Sequence, residues 1–132
     1  GVVKLADFGC AKVFATISLN RTMMGTPAFM APEVITATGH GTPADIWSLG
    51  CTVVEMATAT PPYAHVPDFA AIMFKIANEK EAPRFPSHAS PQLVRFLERC
   101  FPCDPADRAT AAQLLADAFL VHAAVAAARA PP

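Results

Sequence analysis

The chain has 132 residues, of which 53% are hydrophobic and 16% are charged, and its formal net charge is −1. This apolar content suffices for one domain with a core, whereas the charge balance excludes a basic surface for nucleic acid. No stretch reaches the roughly 20 consecutive apolar residues of a membrane-spanning helix, so the low charged fraction indicates a surface that a partner normally covers.

The predicted elements begin with a short buried strand over Val2, Val3 and Leu5, which ends at a turn over residues 7–9. A second short strand is expected over residues 10–14. Residues 15–31 show no hydrophobic period and contain Thr, Ser, Asn, Gly and Pro, a composition typical of a loop. Loops of this length are usually functional or disordered.

The strongest helix signal covers residues 42–59. Thr42 is a candidate N-cap, Pro43 suits the first helical position, and Asp45 falls where a capping box has its acidic residue. Apolar residues occur on nearly every side, with Trp47 among them. This pattern predicts a helix that is buried all round in the complete fold.

Three amphipathic helices follow, and each has its own start signal, at Pro67-Asp68, Ser90-Pro91 and Thr110. The predicted inward-facing residues, helix by helix, are Phe69, Ile72, Met73 and Ile76, then Leu93, Phe96, Leu97 and Cys100, then Leu114, Leu115, Ala118 and Phe119. These patterns predict a mainly α fold with one or two short β-strands near the N-terminus.

Four cysteines occur at positions 10, 51, 100 and 103, without the regular spacing of a disulfide framework. Cys100 and Cys103 form one C-x-x-C, a motif found in redox pairs and in halves of zinc sites. Neither a second pair nor a βαβ context accompanies it. Reduced thiols at a helix end, as in a cytosolic protein, are therefore favoured.

Five short motifs occur in a fixed order along the chain. They are Asp7-Phe8-Gly9, Gly25-Thr26-Pro27-Ala28-Phe29-Met30, Ala31-Pro32-Glu33, Asp45-Ile46-Trp47-Ser48-Leu49-Gly50 and Asp104-Pro105-Ala106-Asp107-Arg108. In this order they resemble the protein-kinase signature set, from the magnesium-binding loop to the last helices. Residues 25–33 and 50–58 resemble MAP kinase kinase kinases, and Cys10-Ala11-Lys12 is similar to plant and green-lineage members.

The resemblance implies that residues 1–120 form the C-terminal half of a protein kinase domain, the helical lobe. Residues 121–132, rich in alanine and ending in two prolines, are then a tail or the start of a linker. An internal piece of a longer protein is expected, because an apolar run begins at once and no signal peptide precedes it. The implied location is cytoplasmic.

The resemblance also assigns roles to residues near the N-terminus. Asp7 matches the aspartate that holds the Mg²⁺ bridging the ATP phosphates, and a hard cation prefers such carboxylate oxygens. Thr22 matches the activating phosphorylation site, for which Thr16, Ser18 and Thr26 remain alternatives.

Further roles fall on the middle and the end of the chain. Gly25, Thr26 and Pro27 match the substrate-side loop, which implies serine/threonine specificity. Glu33 and Arg108 match an ion pair that ties the activation segment to the helical lobe, a task suited to the fork geometry of arginine. Asp45 matches the aspartate that anchors the backbone of the catalytic loop.

The catalytic base is missing from the 132 residues, because none of the four histidines is followed by Arg-Asp, and no lysine resembles the nucleotide-binding lysine. The chain alone is therefore predicted to be inactive. The resemblance implies an ATP- and Mg²⁺-dependent kinase that phosphorylates a MAP kinase kinase; the alternative is a catalytically dead binding or scaffold module. Without a catalytic loop to cover them, Trp47 and Val53 are expected to face water or another copy of the chain.

Overall fold

The computed structural model describes residues 2–6, 26–39 and 41–121. The elements in chain order are a 3₁₀ turn (Pro27–Phe29), α1 (Pro32–Ile35), α2 (Thr42–Thr58), α3 (Phe69–Ala77), α4 (Pro91–Cys100) and α5 (Ala111–Leu115). Within these ranges there is no strand, and no helix is long and apolar enough to cross a membrane. The predicted mainly α fold is confirmed.

One hydrophobic core joins the helices. α2 contacts α4 and the 3₁₀ turn, and α3 contacts both α1 and that turn. The largest fully buried side chains come from α2, α3, α4 and α5, and they are Trp47, Phe96, Ile76, Leu97, Leu114, Cys51 and Cys100. The 3₁₀ turn and α1 are thereby held against the helical core.

The start of α2 differs from the prediction by one residue. Gly41 is the N-cap, so Thr42 and Pro43 are the first two helical residues, and no side chain caps the helix. The predicted capping by Thr42 is therefore wrong. Pro43 has no N–H to leave unpaired in the first turn, and its fixed φ angle suits a helix. Asp45 in the same turn adds a negative charge that the helix dipole favours.

α2 is buried on one face only. Trp47 and Cys51 are 0% exposed, whereas Leu49 is 42% and Met56 is 72% exposed. The prediction of burial all round concerns the complete fold, so it stays a prediction. The expectation that Trp47 and Val53 face water or another copy is wrong, because the Phe101 ring packs edge-on against the Trp47 indole with centroids 5.1 Å apart, and Val53 is half-buried against the core.

The three later helices start where the sequence predicts. Asp68, Ser90 and Thr110 each accept a hydrogen bond from a backbone N–H in the first turn of α3, α4 and α5, respectively. Thr110 and Gln113 also form the reciprocal pair of bonds of a capping box. Side-chain caps of this kind satisfy N–H groups that the helix itself leaves unpaired.

The predicted inward face is complete for α4 and partial for α3. Phe96, Leu97 and Cys100 of α4 are buried, with Leu93 half-buried at the start of the helix. In α3, Ile72 and Ile76 are buried and Met73 is half-buried, but Phe69 is 65% exposed. The elements that contact α3 are short, so they cover a strip narrower than the apolar surface of the helix.

The inward face of α5 is predicted correctly at Leu114 but wrongly at Leu115, which is 73% exposed, and at Ala118. α5 ends at Leu115, and residues 118–121 form a new helical turn. The Asp117 carboxylate accepts the backbone N–H of Phe119 at 2.9 Å. This cap interrupts the helical register on which the prediction depends.

Residues 2–6 have no regular secondary structure, and Val2, Val3 and Leu5 are 87%, 96% and 88% exposed. The predicted buried strand is therefore not formed here, because a strand needs a neighbour for its backbone hydrogen bonds, and the described ranges contain none. The second predicted strand, over residues 10–14, lies outside the described residues, as do residues 122–132 of the predicted tail.

Candidate functional site

A buried arginine joins three parts of the described structure. Arg108 is 4% exposed, and its Nη1 and Nη2 atoms donate to the two carboxylate oxygens of Glu33 at 2.8 and 3.1 Å. Nη1 also donates to the carbonyl oxygen of Pro43 at 2.6 Å, and Nε donates to that of Pro102 at 3.1 Å. One side chain thus holds α1, the start of α2 and the loop after α4.

The Glu33–Arg108 pair is well adapted to burial. Glu33 is 7% exposed, and the two parallel bonds use the planar fork of the guanidinium group. The Trp47 ring adds a cation–π contact, with 5.3 Å between the Arg108 Cζ atom and the ring centroid. Loss of either partner would leave a charge buried without its counter-charge, which is the costly way to break such a pair.

A second bond fastens the 3₁₀ turn to α2. The Ser48 hydroxyl donates to the carbonyl oxygen of Phe29 at 2.8 Å and lies 3.2 Å from that of Ala44. Sequence reasoning missed this contact. The sequence feature that could have indicated it is the Ser48 hydroxyl, which lies between the apolar residues Trp47 and Leu49. A half-buried hydroxyl group needs a hydrogen-bond partner.

The described part of the substrate-side loop is a short turn with an accessible hydroxyl. Thr26 is exposed and its side chain makes no capping bond, while its carbonyl oxygen accepts the N–H of Phe29 at 3.0 Å. Pro27 opens the turn and Ala28 is buried against the core. Ala28 therefore anchors the turn to the core, and Thr26 lies at the surface.

Asp45 lies in the first turn of α2, two residues after the carbonyl that binds Arg108. It is exposed, and within the described residues its carboxylate makes no side-chain hydrogen bond or ion pair. The structure therefore does not bring Asp45 together with the Glu33–Arg108 pair. Its carboxylate is accessible to a backbone donor from another segment.

Asp7, Thr22 and Gly25 lie outside the described residues, so their predicted roles stay predictions. In the ranges that the structure describes, no cluster of three or more His, Cys, Asp or Glu side chains could hold a metal ion. The described ranges therefore supply no ready-made metal centre.

The described cysteines are free thiols, and Cys51 and Cys100 are buried while Cys103 is half-buried. Burial raises the pKa of the Cys51 thiol and that of the Cys100 thiol to about 12. Thiols that stay protonated are poor nucleophiles and poor metal ligands. The free thiols of Cys100 and Cys103 agree with the interpretation of the C-x-x-C as reduced thiols at the end of α4.

A family model and curated relatives both match this chain. The model of the protein kinase domain matches residues 1–120. The chain belongs to the protein kinase family. The assignment predicted from the five motifs is thereby confirmed, and the Glu33–Arg108 pair lies within the matched residues.

The relatives are MAP kinase kinase kinases. Mitogen-activated protein kinase kinase kinase A of Dictyostelium discoideum is 51% identical over 123 residues, which cover 92% of this chain and 13% of the relative. Mitogen-activated protein kinase kinase kinase YODA of Arabidopsis thaliana is 49% identical over 121 residues, 91% of this chain and 14% of the relative. Mitogen-activated protein kinase kinase kinase 5 of Homo sapiens is 45% identical over 123 residues, 91% and 9%, respectively.

The predicted similarity to MAP kinase kinase kinases, plant members included, is confirmed. The chain spans between 9% and 14% of the length of these three relatives. What the relatives' names say of their activity therefore applies to much longer proteins, and it comes to this chain only as a proposal.

Proposed function

We propose that this chain is part of an ATP-dependent serine/threonine kinase that acts as a MAP kinase kinase kinase and phosphorylates a MAP kinase kinase. The observation that carries the proposal is the buried two-bond pair of Glu33 and Arg108, because it fixes the segment that follows the Thr26 turn. The identity of 45–51% to MAP kinase kinase kinases over more than nine tenths of the chain supports the substrate class.

The part of the reaction that these residues serve is the positioning of the protein substrate. Phosphoryl transfer depends on the placement of the acceptor hydroxyl, and a 1 Å displacement can cost roughly 100-fold in rate. The Glu33–Arg108 pair and the Ser48 bond hold the substrate-side turn at two points. We assign Thr26, whose hydroxyl is exposed at that turn, to contact with the substrate segment.

Protein kinases use ATP and Mg²⁺, and when bound the metal neutralises charge on the transferring phosphoryl group. The carboxylate of Asp7 is the proposed ligand on this chain, since an oxygen ligand suits a hard cation. The exposed carboxylate of Asp45 is proposed to accept backbone N–H groups of a catalytic loop. The chain alone is predicted to transfer no phosphate, because its sequence contains no His-Arg-Asp triplet.

Two regulatory features complete the proposal. Phosphorylation of Thr22 adds roughly −1.5 to −2 charge, which can order a segment through nearby basic side chains, and Arg21 is adjacent in sequence. A cytoplasmic location is proposed on the resemblance alone. A catalytically dead scaffold is not favoured by the similarity to MAP kinase kinase kinases.

The test is phosphate transfer from ATP to a MAP kinase kinase by the intact protein that contains this chain. Asp7→Asn is expected to lower kcat at least about 100-fold, the scale of losing one electrostatic contact to the reacting group. Thr22→Ala should lower turnover after activation, with Thr16→Ala as the matched control. Equal turnover of Asp7→Asn and the unchanged protein would contradict the proposal, and retained signalling without transfer would favour the scaffold.

A further inference from the structure

The Ser48 hydroxyl lies between two carbonyl oxygens and can donate to only one of them at a time. Its Oγ atom is 2.8 Å from the carbonyl oxygen of Phe29 and 3.2 Å from that of Ala44. A serine hydroxyl carries one hydrogen, and O–H···O bonds are usually about 2.7–2.8 Å long. The hydroxyl therefore donates to Phe29, in the 3₁₀ turn, 19 positions before Ser48.

The next hydroxyl along α2 is used differently. Thr52, four positions after Ser48, donates to the carbonyl oxygen of Ser48 at 3.0 Å. A bond to the carbonyl group four positions earlier is the usual arrangement for a hydroxyl inside a helix. Ser48 instead donates to a segment outside α2, so its hydroxyl stabilises the position of the 3₁₀ turn and adds no bond within the helix.

The Phe29 backbone connects Ser48 with the exposed residue of the substrate-side turn. The Phe29 carbonyl oxygen accepts the Ser48 hydroxyl, and the Phe29 N–H donates to the carbonyl oxygen of Thr26 at 3.0 Å. Two hydrogen bonds thus connect α2 with Thr26 through one residue. The buried ion pair holds the chain at Glu33, seven positions after Thr26, whereas the Ser48 bond holds it three positions after Thr26. The placement of Thr26 therefore depends more directly on Ser48 than on the ion pair.

We propose that Ser48 is a positioning residue for the protein substrate, which acts through Phe29 by holding the turn that carries Thr26. This role rests on the proposed function, in which Thr26 contacts the substrate segment. Ser48 is half-buried and donates to the backbone of the turn, so its effect is to fix the place of Thr26. When the turn is held in place for only a fraction of the time, the apparent affinity for the substrate falls by that fraction.

Removal of the Ser48 hydroxyl should loosen the turn and leave the fold intact. Ser48→Ala takes away one oxygen atom and places the best helix former in the interior of α2, so the helix itself is not weakened. The Phe29 carbonyl oxygen then lacks its donor, and the turn is held by the burial of Ala28 and Met30, which are 5% and 7% exposed. Ser48→Thr retains the hydroxyl and should retain the bond.

Steady-state kinetics of the intact protein, with ATP and a MAP kinase kinase as the two substrates, test this role. Ser48→Ala should raise KM for the protein substrate roughly three- to tenfold, the scale of one lost hydrogen bond, and leave KM for ATP unchanged. Ser48→Thr should restore most of the loss. Thr52→Ala, which removes a hydroxyl that bonds within α2, is the matched control and should change neither KM. A protein that is merely less stable would lose kcat alone, because it contains fewer active molecules.

Hydrogen exchange of the intact protein measures the turn directly and needs no substrate. Ser48→Ala should speed exchange of the backbone amides of residues 28–30 by roughly three- to tenfold, and Thr52→Ala should not. An unchanged KM for the protein substrate, an unchanged exchange rate, a loss of kcat alone or an equal rise in KM for ATP would each overturn the role of Ser48. Absence of phosphate transfer by the unchanged protein would instead contradict the proposed function, and with it the role of Ser48 towards the substrate.

Discussion

α2 and α4 pack against each other, yet they meet water in different ways. α4 is amphipathic, so its apolar residues Phe96 and Leu97 are buried while Arg95 and Glu98 are exposed. α2 is apolar nearly all round and leaves Leu49 and Met56 exposed. The spacing of apolar residues predicts which face of a helix is buried when the opposite face is polar. When apolar residues occur all round the helix, their spacing does not indicate which face packs against a neighbour.

The two helices also differ in how their surroundings use charge. The N-terminal half of α2 lies against the Glu33–Arg108 pair, in which both side chains are buried. α4 carries Arg99, which pairs with Asp117 at the edge of the fold, where the side chains are 40% and 10% exposed. Removing one partner of the fully buried pair leaves the other charge without its counter-charge, whereas water reaches Arg99 and screens its half-buried pair with Asp117.

The largest expected effect is that of Arg108→Ala. It leaves Glu33 buried without a counter-charge and frees the carbonyl oxygens of Pro43 and Pro102, so the free energy of unfolding should fall by about 3–5 kcal/mol. Arg99→Ala, at the pair that water reaches through Arg99, should cost less, about 1 kcal/mol. Urea denaturation monitored by Trp47 fluorescence measures both losses.

The comparison is sharpened by Arg108→Lys, which retains the charge but not the two-bond fork. It should recover only part of the loss, because lysine cannot reach Glu33 and both carbonyl oxygens at once. Equal losses for Arg108→Ala and Arg99→Ala would show that the fully buried pair does not differ in stability from the half-buried one. The distinction drawn between the two helices would then fail.

The sequence was sufficient for the features that depend on local chemistry. The caps at Asp68, Ser90 and Thr110 follow from short side chains before an apolar period. The Glu33–Arg108 contact could be predicted only from family resemblance, because 75 positions separate its partners and no local pattern links them. The Ser48 bond to the Phe29 carbonyl escaped prediction for the same reason.

The failures have physical causes that act over longer distances. Leu115 is exposed because Asp117 starts a new helical turn. The spacing of apolar residues does not show whether an aspartate at this position caps a new turn or continues the helix. Phe69 is exposed because the elements that cover α3 are short. The strand at residues 2–5 lacks a pairing neighbour in the described ranges. Sequence patterns describe what a segment can bury, and the neighbours decide what it does bury.

A smaller effect is expected at the contact between α2 and α4, where Gly50 faces the end of α4. A Cβ atom at position 50 would lie 2.7 Å from Phe101 Cζ and 2.8 Å from Cys100 Cβ. Gly50→Ala should therefore destabilise the fold by about 1–3 kcal/mol through overpacking. In an open helix the same change would stabilise it by about 0.5–1 kcal/mol.

Thr52→Ala, on the exposed side of α2, is the matched control for Gly50→Ala. It should change the free energy of unfolding by no more than about 0.5 kcal/mol. Thermal and urea unfolding measure the stability of the two variants. A loss confined to Gly50→Ala indicates close packing at position 50. A gain in stability from Gly50→Ala would mean that α2 and α4 are further apart than the structure has them.

The smallest expected effect concerns alkaline pH and the thiol of Cys51, on the buried side of α2. Burial, together with the nearby Cys100, raises the pKa of Cys51 from 9.0 to about 12. The folded state therefore keeps a proton that the unfolded chain loses above pH 9. The stabilisation is fully present below pH 9 and declines as the pH rises towards 12, by roughly 1 kcal/mol at pH 9.5.

Urea denaturation at pH 8.0 and pH 9.5 measures this decline, and Cys51→Ala is the comparison. The variant is less stable at both pH values because it leaves a cavity, but its stability should depend less on pH. The range ends at pH 9.5 because Tyr63, whose pKa burial also raises from an ordinary value of 10.0, adds a decline of the same sign at higher pH. Identical pH dependence in both proteins would show that Cys51 ionises equally in the folded and unfolded states, and that the inner side of α2 admits water as its outer side does.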